Sequence, residues 1–302
     1  MLEKCESAGR IGGRYGLISA MSTICLFPGQ GAQKQGMGEA LFDRFPEEVA
    51  LVDGILGYSI RELCLENPEG RLAKTQYTQP ALFTVSALGF MARQADGGSA
   101  VDYLAGHSLG EYTALFAAGG FDFATGIRLV QKRGQLMSEV VGGGMAAILG
   151  LTSEAIQKAL VDGGFSDIDL ANQNSLKQTV IAGPKQEVEA CAPVLAAAGG
   201  KVIPLAVSGA FHSRQMRPVA EHYRDYLKGI SFGVLKTPVI ANVTAKPYVQ
   251  EEIVDILARQ IASPVLWADS VGYLLGQPEP EFEEIGPGKV LSGLIRQIKA
   301  GR

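Results

Sequence analysis

The stretch from Val101 to Ala118 narrows the fold of this chain more than any other. An apolar run, Val101–Ala105, passes without a spacer into Gly106-His107-Ser108-Leu109-Gly110, and that pentapeptide leads into helix-compatible Glu111–Ala118. A strand that turns this sharply into a helix exposes the residue at the bend, Ser108, and the flanking glycines avoid the clash that a Cβ would make. The G-x-S-x-G pattern alone is weak; a strand before it and a helix after it are the context it requires. The same punctuation of apolar run, glycine turn and helix recurs from Met21 onward, as at Ile24–Phe27 before Pro28-Gly29. That is the texture of a layered α/β protein.

Gln79-Pro80 opens an apolar stretch through Met91 whose length favours a helix, with Pro80 in its first turn, where a missing N–H is harmless. Asp122 is a good N-cap for a helix reaching about Val140. The glycines at 142–144 then break the pattern, and the units become smaller. Strands at 146–149, 179–182 and 202–205 alternate with helices at 153–161 and 186–198. This β-α-β-α-β order outlines a ferredoxin-like insert. Beyond Ser208 the larger texture returns, with helices at about 215–228 and 250–261, a strand near Val239–Ala241 and a strand-turn at Phe282–Gly288. The expected organisation is a flexible extension at 1–20, a larger α/β part at 21–143 and 207–302, and an inserted smaller part at 144–206.

Composition removes several function classes. Twenty-seven Lys and Arg stand against 31 Asp and Glu, a formal net charge of -4, with no run of five like charges. A nucleic-acid protein would show a basic stripe. Cys5, Cys25, Cys64 and Cys191 lie far apart with no C-x-x-C spacing, so neither a metal site nor a disulfide framework is expected, and the setting reads as reducing and cytoplasmic. The long uncharged stretch Thr75–Ala92 contains Gln76, Gln79 and Pro80, which reads as a buried helix rather than a membrane span. Residues 1–20 lack the apolar core of a secretory signal.

A serine needs a base, and the chain has three histidines. His107 adjoins Ser108 within the tight turn, with its side chain expected to point away. His222 lies on a helix and reads as a solvated residue. His212 follows Ser208-Gly209-Ala210-Phe211 in a loop after a strand, a usual place for catalytic groups, and is the expected base. Ser before His suits an α/β-hydrolase, which also expects an acid between them, but Asp122, Asp162, Asp167 and Asp169 each read as caps or turn residues. A neutral amide or backbone carbonyl can hold a histidine tautomer equally well, so a Ser–His dyad is chemically reasonable. The N–H of Leu109, at the start of the following helix, is a natural oxyanion donor.

Several motifs taken in order carry a resemblance. They are Phe27-Pro28-Gly29-Gln30-Gly31-Ala32-Gln33, Gln79-Pro80-Ala81-Leu82, Gly106–Tyr112, Arg133-Gly134, Ala210-Phe211-His212-Ser213, Asn242-Val243 and Glu284–Val290. With these the chain resembles malonyl-CoA:acyl-carrier-protein transacylases and the malonyl-loading acyltransferases of polyketide synthases, from Thr23 to about Ile298. The resemblance implies an α/β-hydrolase-like larger domain with an inserted ferredoxin-like domain, and an active site in the cleft between them. It implies that Ser108 carries the acyl ester, His212 is its base, Gln260 orients the histidine, and Gln30 with Leu109 forms the oxyanion hole. It further implies that Arg133 holds the malonyl carboxylate, as a planar guanidinium can and an ammonium cannot, with Phe211, His107 and Asn174 also at the substrate. Phe211 before the histidine matches polyketide acyltransferases, where bacterial fatty-acid members often carry serine. No bound cofactor or metal is implied: the substrates are a CoA thioester and a carrier protein's phosphopantetheine. The partners are malonyl-CoA and an acyl carrier protein, with no nucleic acid or membrane, and the chain is expected to act as a monomer. Lys185, Arg214, Arg217 and Lys289 are candidates for docking an acidic carrier. Two other readings use the same residues: a serine esterase or thioesterase, and a catalytically silent docking module.

Overall fold

A computed structural model of the chain describes residues 21–207 and 209–301. The extension at 1–20, with Cys5, and Ser208 lie outside the described residues. Among the described residues eight strands form two sheets: β1 (Ser22–Phe27), β2 (Tyr103–Gly106), β3 (Gly143–Leu149), β4 (Asp169–Ser175), β5 (Gln178–Pro184), β6 (Lys201–Pro204), β7 (Val239–Ile240) and β8 (Pro280–Glu284). The first sheet is parallel throughout, in the order β7-β2-β1-β8.

Side chains alternate across a strand, and β1 uses both faces. Cys25 and Phe27 enter the main core with the helices Thr75–Ala95, Gly110–Ala117 and Phe123–Ser138. Ile24 and Leu26 enter a second cluster with Trp267, Val271, Leu274, Leu291 and Ile295, from helices Trp267–Leu275 and Val290–Ala300. Burial on both faces explains why β1 reads as a continuous apolar run.

The second sheet is antiparallel, in the order β4-β5-β3-β6. One face carries Ala146, Ile148 and Ile181 against Ile156, Leu160, Val188 and Leu195 of the helices between its strands. The other presents Met145, Val180 and Ala182 to the main core. Its strand β4 is tied to the larger part at Val265, which accepts from the Gln173 N–H (2.9 Å) and donates to the Ala171 carbonyl (2.9 Å).

The structure corrects four details of the sequence reading. Strand β4 was not expected, because DLANQNS has too few apolar residues to read as a strand and is recognised by its partner β5. The helix expected at 186–198 is two short helices, Lys185–Ala190 and Ala192–Ala197, with Pro193 starting the second. Pro80 lies inside a helix that begins five residues earlier at Thr75. Gly143 and Gly144 belong to β3. A Cβ on Gly143 would stand 2.2 Å from the Ala210 nitrogen, so this glycine lets β3 run directly beside the loop that carries His212.

Candidate active site

The bend between β2 and the helix Gly110–Ala117 is built from backbone collisions avoided. A Cβ on Gly106 would lie 1.9 Å from the Gly110 carbonyl carbon, and one on Gly110 would lie 2.0 Å from the Phe27 oxygen. Ser108, at the apex, has φ 51°, and His212 has φ 60°. Left-handed backbone at non-glycine residues is a cost that surrounding structure must impose, and it clusters at functional sites.

Ser108 Oγ lies 2.7 Å from His212 Nε2. On the other side of the ring, Nδ1 is 2.8 Å from the Gln260 backbone carbonyl. A carbonyl only accepts, so the proton sits on Nδ1 and Nε2 is free to take the serine proton. Burial and the adjacent Arg133 cation push the imidazole down to about 3, which keeps it neutral with Nε2 unprotonated. The contact between Gln260 and the histidine ring is thus made by its main chain rather than its amide.

That amide has other partners. Gln260 Nε2 donates to the Ser108 carbonyl (2.8 Å) and to Glu111 Oε2 (3.1 Å), while Oε1 accepts from Arg133 Nη2 (2.9 Å). Arg133 is 1% exposed. Its Nη1 donates to Gln79 Oε1 (2.8 Å), its Nη2 reaches Ser108 Oγ (3.2 Å), and its Nε has no partner among the described residues. A guanidinium so placed is an anion site beside the nucleophile.

Ser108, Leu109, Gln30, Gln79, His107, Arg133, Phe211 and His212 line one cavity of about 100 Å3. The backbone N–H groups of Gln30 and Leu109 have no acceptor among the described residues. The cavity shares Met145, Leu205 and Val207 with a groove of about 840 Å3, bounded by Thr75 and Gln76 on one side and by β3 and β6 on the other. Two expected site residues are not on the cavity wall. Asn174 sits behind His107, with Oδ1 2.8 Å from His107 Nε2, and Gln260 lies beneath Ser108. His222 is exposed on its helix. Arg214 is held by Asp169, with Nη2 2.6 Å from Oδ1, so its charge is already matched.

The residues missed from sequence are those that hold the bend. Asn242 Oδ1 accepts from the Ser108 N–H (2.7 Å) and its Nδ2 donates to the Gly106 carbonyl (2.7 Å). Glu111, 0% exposed, accepts from the Asn242 N–H (2.9 Å), from Gln260 and from the Tyr248 hydroxyl. A lone carboxylate between Leu109 and the apolar turn Tyr112–Leu115 was the available signal for Glu111. For Asn242 the signal was its place, with Val243, among the motifs that carry the resemblance, which left its partners unstated. Among the described residues no cluster of His, Cys, Asp or Glu could hold a metal ion, and no helix is long and apolar enough to cross a membrane.

A strand-bend serine, a neutral histidine and a buried arginine around one cavity define an acyl-transfer site, and residues 24–292 match the acyl transferase domain family. The chain belongs to that family. It is 51% identical over 276 residues, 91% of this chain and 96% of the other, to the polyketide biosynthesis malonyl CoA-acyl carrier protein transacylase PksC of Bacillus subtilis. It is 41% identical over 282 residues to the malonyl CoA-acyl carrier protein transacylase of Escherichia coli, covering 90% of this chain and 91% of that one. The crystal structure of the Burkholderia pseudomallei malonyl CoA-acyl carrier protein transacylase superposes with a TM-score of 0.91 at 44% identity, over 94% of this chain and 99% of that one. This mixed α/β fold is therefore shared with solved transacylases.

Proposed function

We propose that this chain transfers a malonyl group from malonyl-CoA to the phosphopantetheine thiol of an acyl carrier protein. Ser108 attacks the thioester carbonyl while His212 Nε2 takes its proton and returns it to the departing CoA sulfur. The carrier thiol then attacks the seryl ester, its proton passes to His212, and Ser108 recovers it as the ester breaks. The N–H groups of Gln30 and Leu109 receive the oxyanion. Arg133 takes the malonyl carboxylate, with Phe211 and His107 closing the pocket and Asn174 steadying His107. The observation that carries this reading is a serine oxygen 2.7 Å from a neutral base and 3.2 Å from a buried guanidinium.

The finer fold reading belongs to the same proposal: an α/β-hydrolase-like larger domain at 21–143 and 207–302, and a ferredoxin-like insert at 144–206. The strand order β4-β5-β3-β6, with helices on one face, supports the latter. The groove between the two parts takes the pantetheine arm, and the chain acts as a monomer in the cytoplasm, without a bound cofactor. Polyketide extender supply is favoured by Phe211 and by the names of relatives such as PksC. The solved complex of a type II PKS acyl-carrier protein with its malonyl-transacylase, 41% identical to this chain, supports the partner.

Intact-protein mass spectrometry after brief exposure to malonyl-CoA tests the proposal. A malonyl-sized adduct on the wild type, absent from Ser108→Ala and discharged by carrier protein, is expected. Free malonate without an adduct would point to a hydrolase, and neither adduct nor turnover to a docking module. Arg133→Ala is expected to lose malonyl loading and gain acetyl loading relative to it, whereas a hydrolase of neutral esters would be indifferent.

A further inference from the structure

Two formal charges lie under Ser108, and neither has a direct ion-pair partner among the described residues. Arg133 bonds only to neutral oxygens, of Gln79, Gln260 and Ser108. Glu111 bonds only to neutral donors, of Tyr248, Gln260 and the Asn242 main chain. Gln260 joins them, accepting from Arg133 through Oε1 and donating to Glu111 through Nε2. A buried cation and a buried anion separated by one amide still feel each other strongly where water is excluded.

We propose that Glu111 is the charge-compensating residue of the site: its carboxylate opposes Arg133 while the acyl pocket is empty, and it takes up a proton from solvent when an acyl carboxylate arrives at the guanidinium. The proposal rests on the reading that Arg133 receives that carboxylate. The hydrogen bonds provide for both states. Ionised, Glu111 accepts three. Protonated on Oε1, it donates to the Tyr248 oxygen, whose own hydrogen turns away, while Oε2 keeps its bonds from Asn242 and Gln260, so no heavy atom has to move.

The surrounding groups leave this as the event near neutrality. Burial pushes Glu111 up to about 7 against the opposing hydrogen bonds and Arg133. His212 and His107 are both pushed down by burial and stay neutral. Tyr112 is pushed up to about 12, and Tyr223 and Tyr248 well above the usual range, again mainly by burial. A second carboxylate at Arg133 raises Glu111 further, and by reciprocity protonation of Glu111 favours that carboxylate. Affinity for malonyl-CoA, relative to acetyl-CoA, therefore rises as pH falls through about 7.

The test measures apparent KM for malonyl-CoA self-loading and the inhibition constant of acetyl-CoA from pH 5.5 to 8.5. Their ratio cancels the titration of the CoA phosphates. In the wild type, malonyl preference is expected to rise about tenfold toward acid pH. Glu111→Gln copies the protonated form, amide for hydroxyl, and is expected to hold the acid-limit preference at every pH. Tyr248→Phe removes a donor to the ionised form and is expected to move the inflection to higher pH. A flat ratio in the wild type, an inflection that survives Glu111→Gln, or one unmoved by Tyr248→Phe would overturn the proposal. A purely structural Glu111 would depress both substrates alike without altering the ratio. Failure of the Ser108 adduct itself would instead overturn the malonyl transfer reading.

Discussion

At the residue scale, the reactivity of Ser108 depends on groups that never touch the substrate. Asn242 is bonded to the backbone before and at the nucleophile, and truncating it leaves a buried N–H and a buried carbonyl unpaired. Each such orphan costs about 1–3 kcal/mol. Asn242→Ala is therefore expected to lower the melting temperature and to slow single-turnover acyl-enzyme formation by more than tenfold, while binding of CoA thioester changes less. The depressed His212 gives a second prediction. With acetyl-pantetheine, which carries neither a carboxylate nor a titrating phosphate, as acyl donor, kcat/KM is expected to show no limb near 6.5, because the base stays unprotonated until about pH 3. Between those values the unfolded chain holds a proton that the folded histidine does not, so this group makes stability fall as pH drops through that window. His212→Ala is expected to flatten that part of the melting profile.

At the element scale, the strand-to-helix bend admits no Cβ at its flanks. The contacts a methyl would meet at Gly106 and Gly110 are backbone atoms at about half a normal contact distance, which cannot rotate away. Gly110→Ala is expected to cost at least about 3 kcal/mol, at the upper end for overpacking, and to yield insoluble or inactive protein. Gly293, inside the helix Val290–Ala300, meets nothing within 4 Å. Gly293→Ala is therefore expected to stabilise by about 0.5–1 kcal/mol through helix propensity, raising the melting temperature by about 1–3 °C.

For the whole molecule, function depends on how the antiparallel sheet is seated against the part that carries the parallel one. Strand β4 is fixed at Val265, and Arg214, two residues after His212, is fixed to Asp169 at the start of β4. Arg214 thus acts as a tie between the histidine loop and the antiparallel sheet. Lys185 differs: it is exposed, lines the large groove and lies 4.0 Å from Glu189, its one ion-pair partner among the described residues. Lys185→Glu is expected to raise the KM for an acidic carrier protein several-fold in low salt and little in high salt, whereas Arg214→Ala lowers thermal stability with a smaller effect on that KM. Steady-state transfer at two ionic strengths distinguishes them.

Much of this was legible from the amino-acid sequence because it depends on local order. Gly106-x-Ser108-x-Gly110 between an apolar run and a helix specifies the bend, Asp122 specifies its helix start, and the glycine at 142, with φ 82°, marks where the texture changes. With three histidines to choose from, its loop position singled out His212, the ring that stands 2.7 Å from Ser108 Oγ. What the sequence could not settle depends on partners far along the chain. The strand identity of β4 comes from β5 and Val265, not from its own polar residues. The group behind His212 is a main-chain carbonyl, and every residue has one, so no side-chain type could announce it. Glu111, Gln260, Asn242 and Tyr248 span more than 130 positions and meet only because a parallel sheet brings the ends of β2 and β7 together. Local propensity places the nucleophile; the electrostatics that set its neighbours exist only once the chain has closed around them.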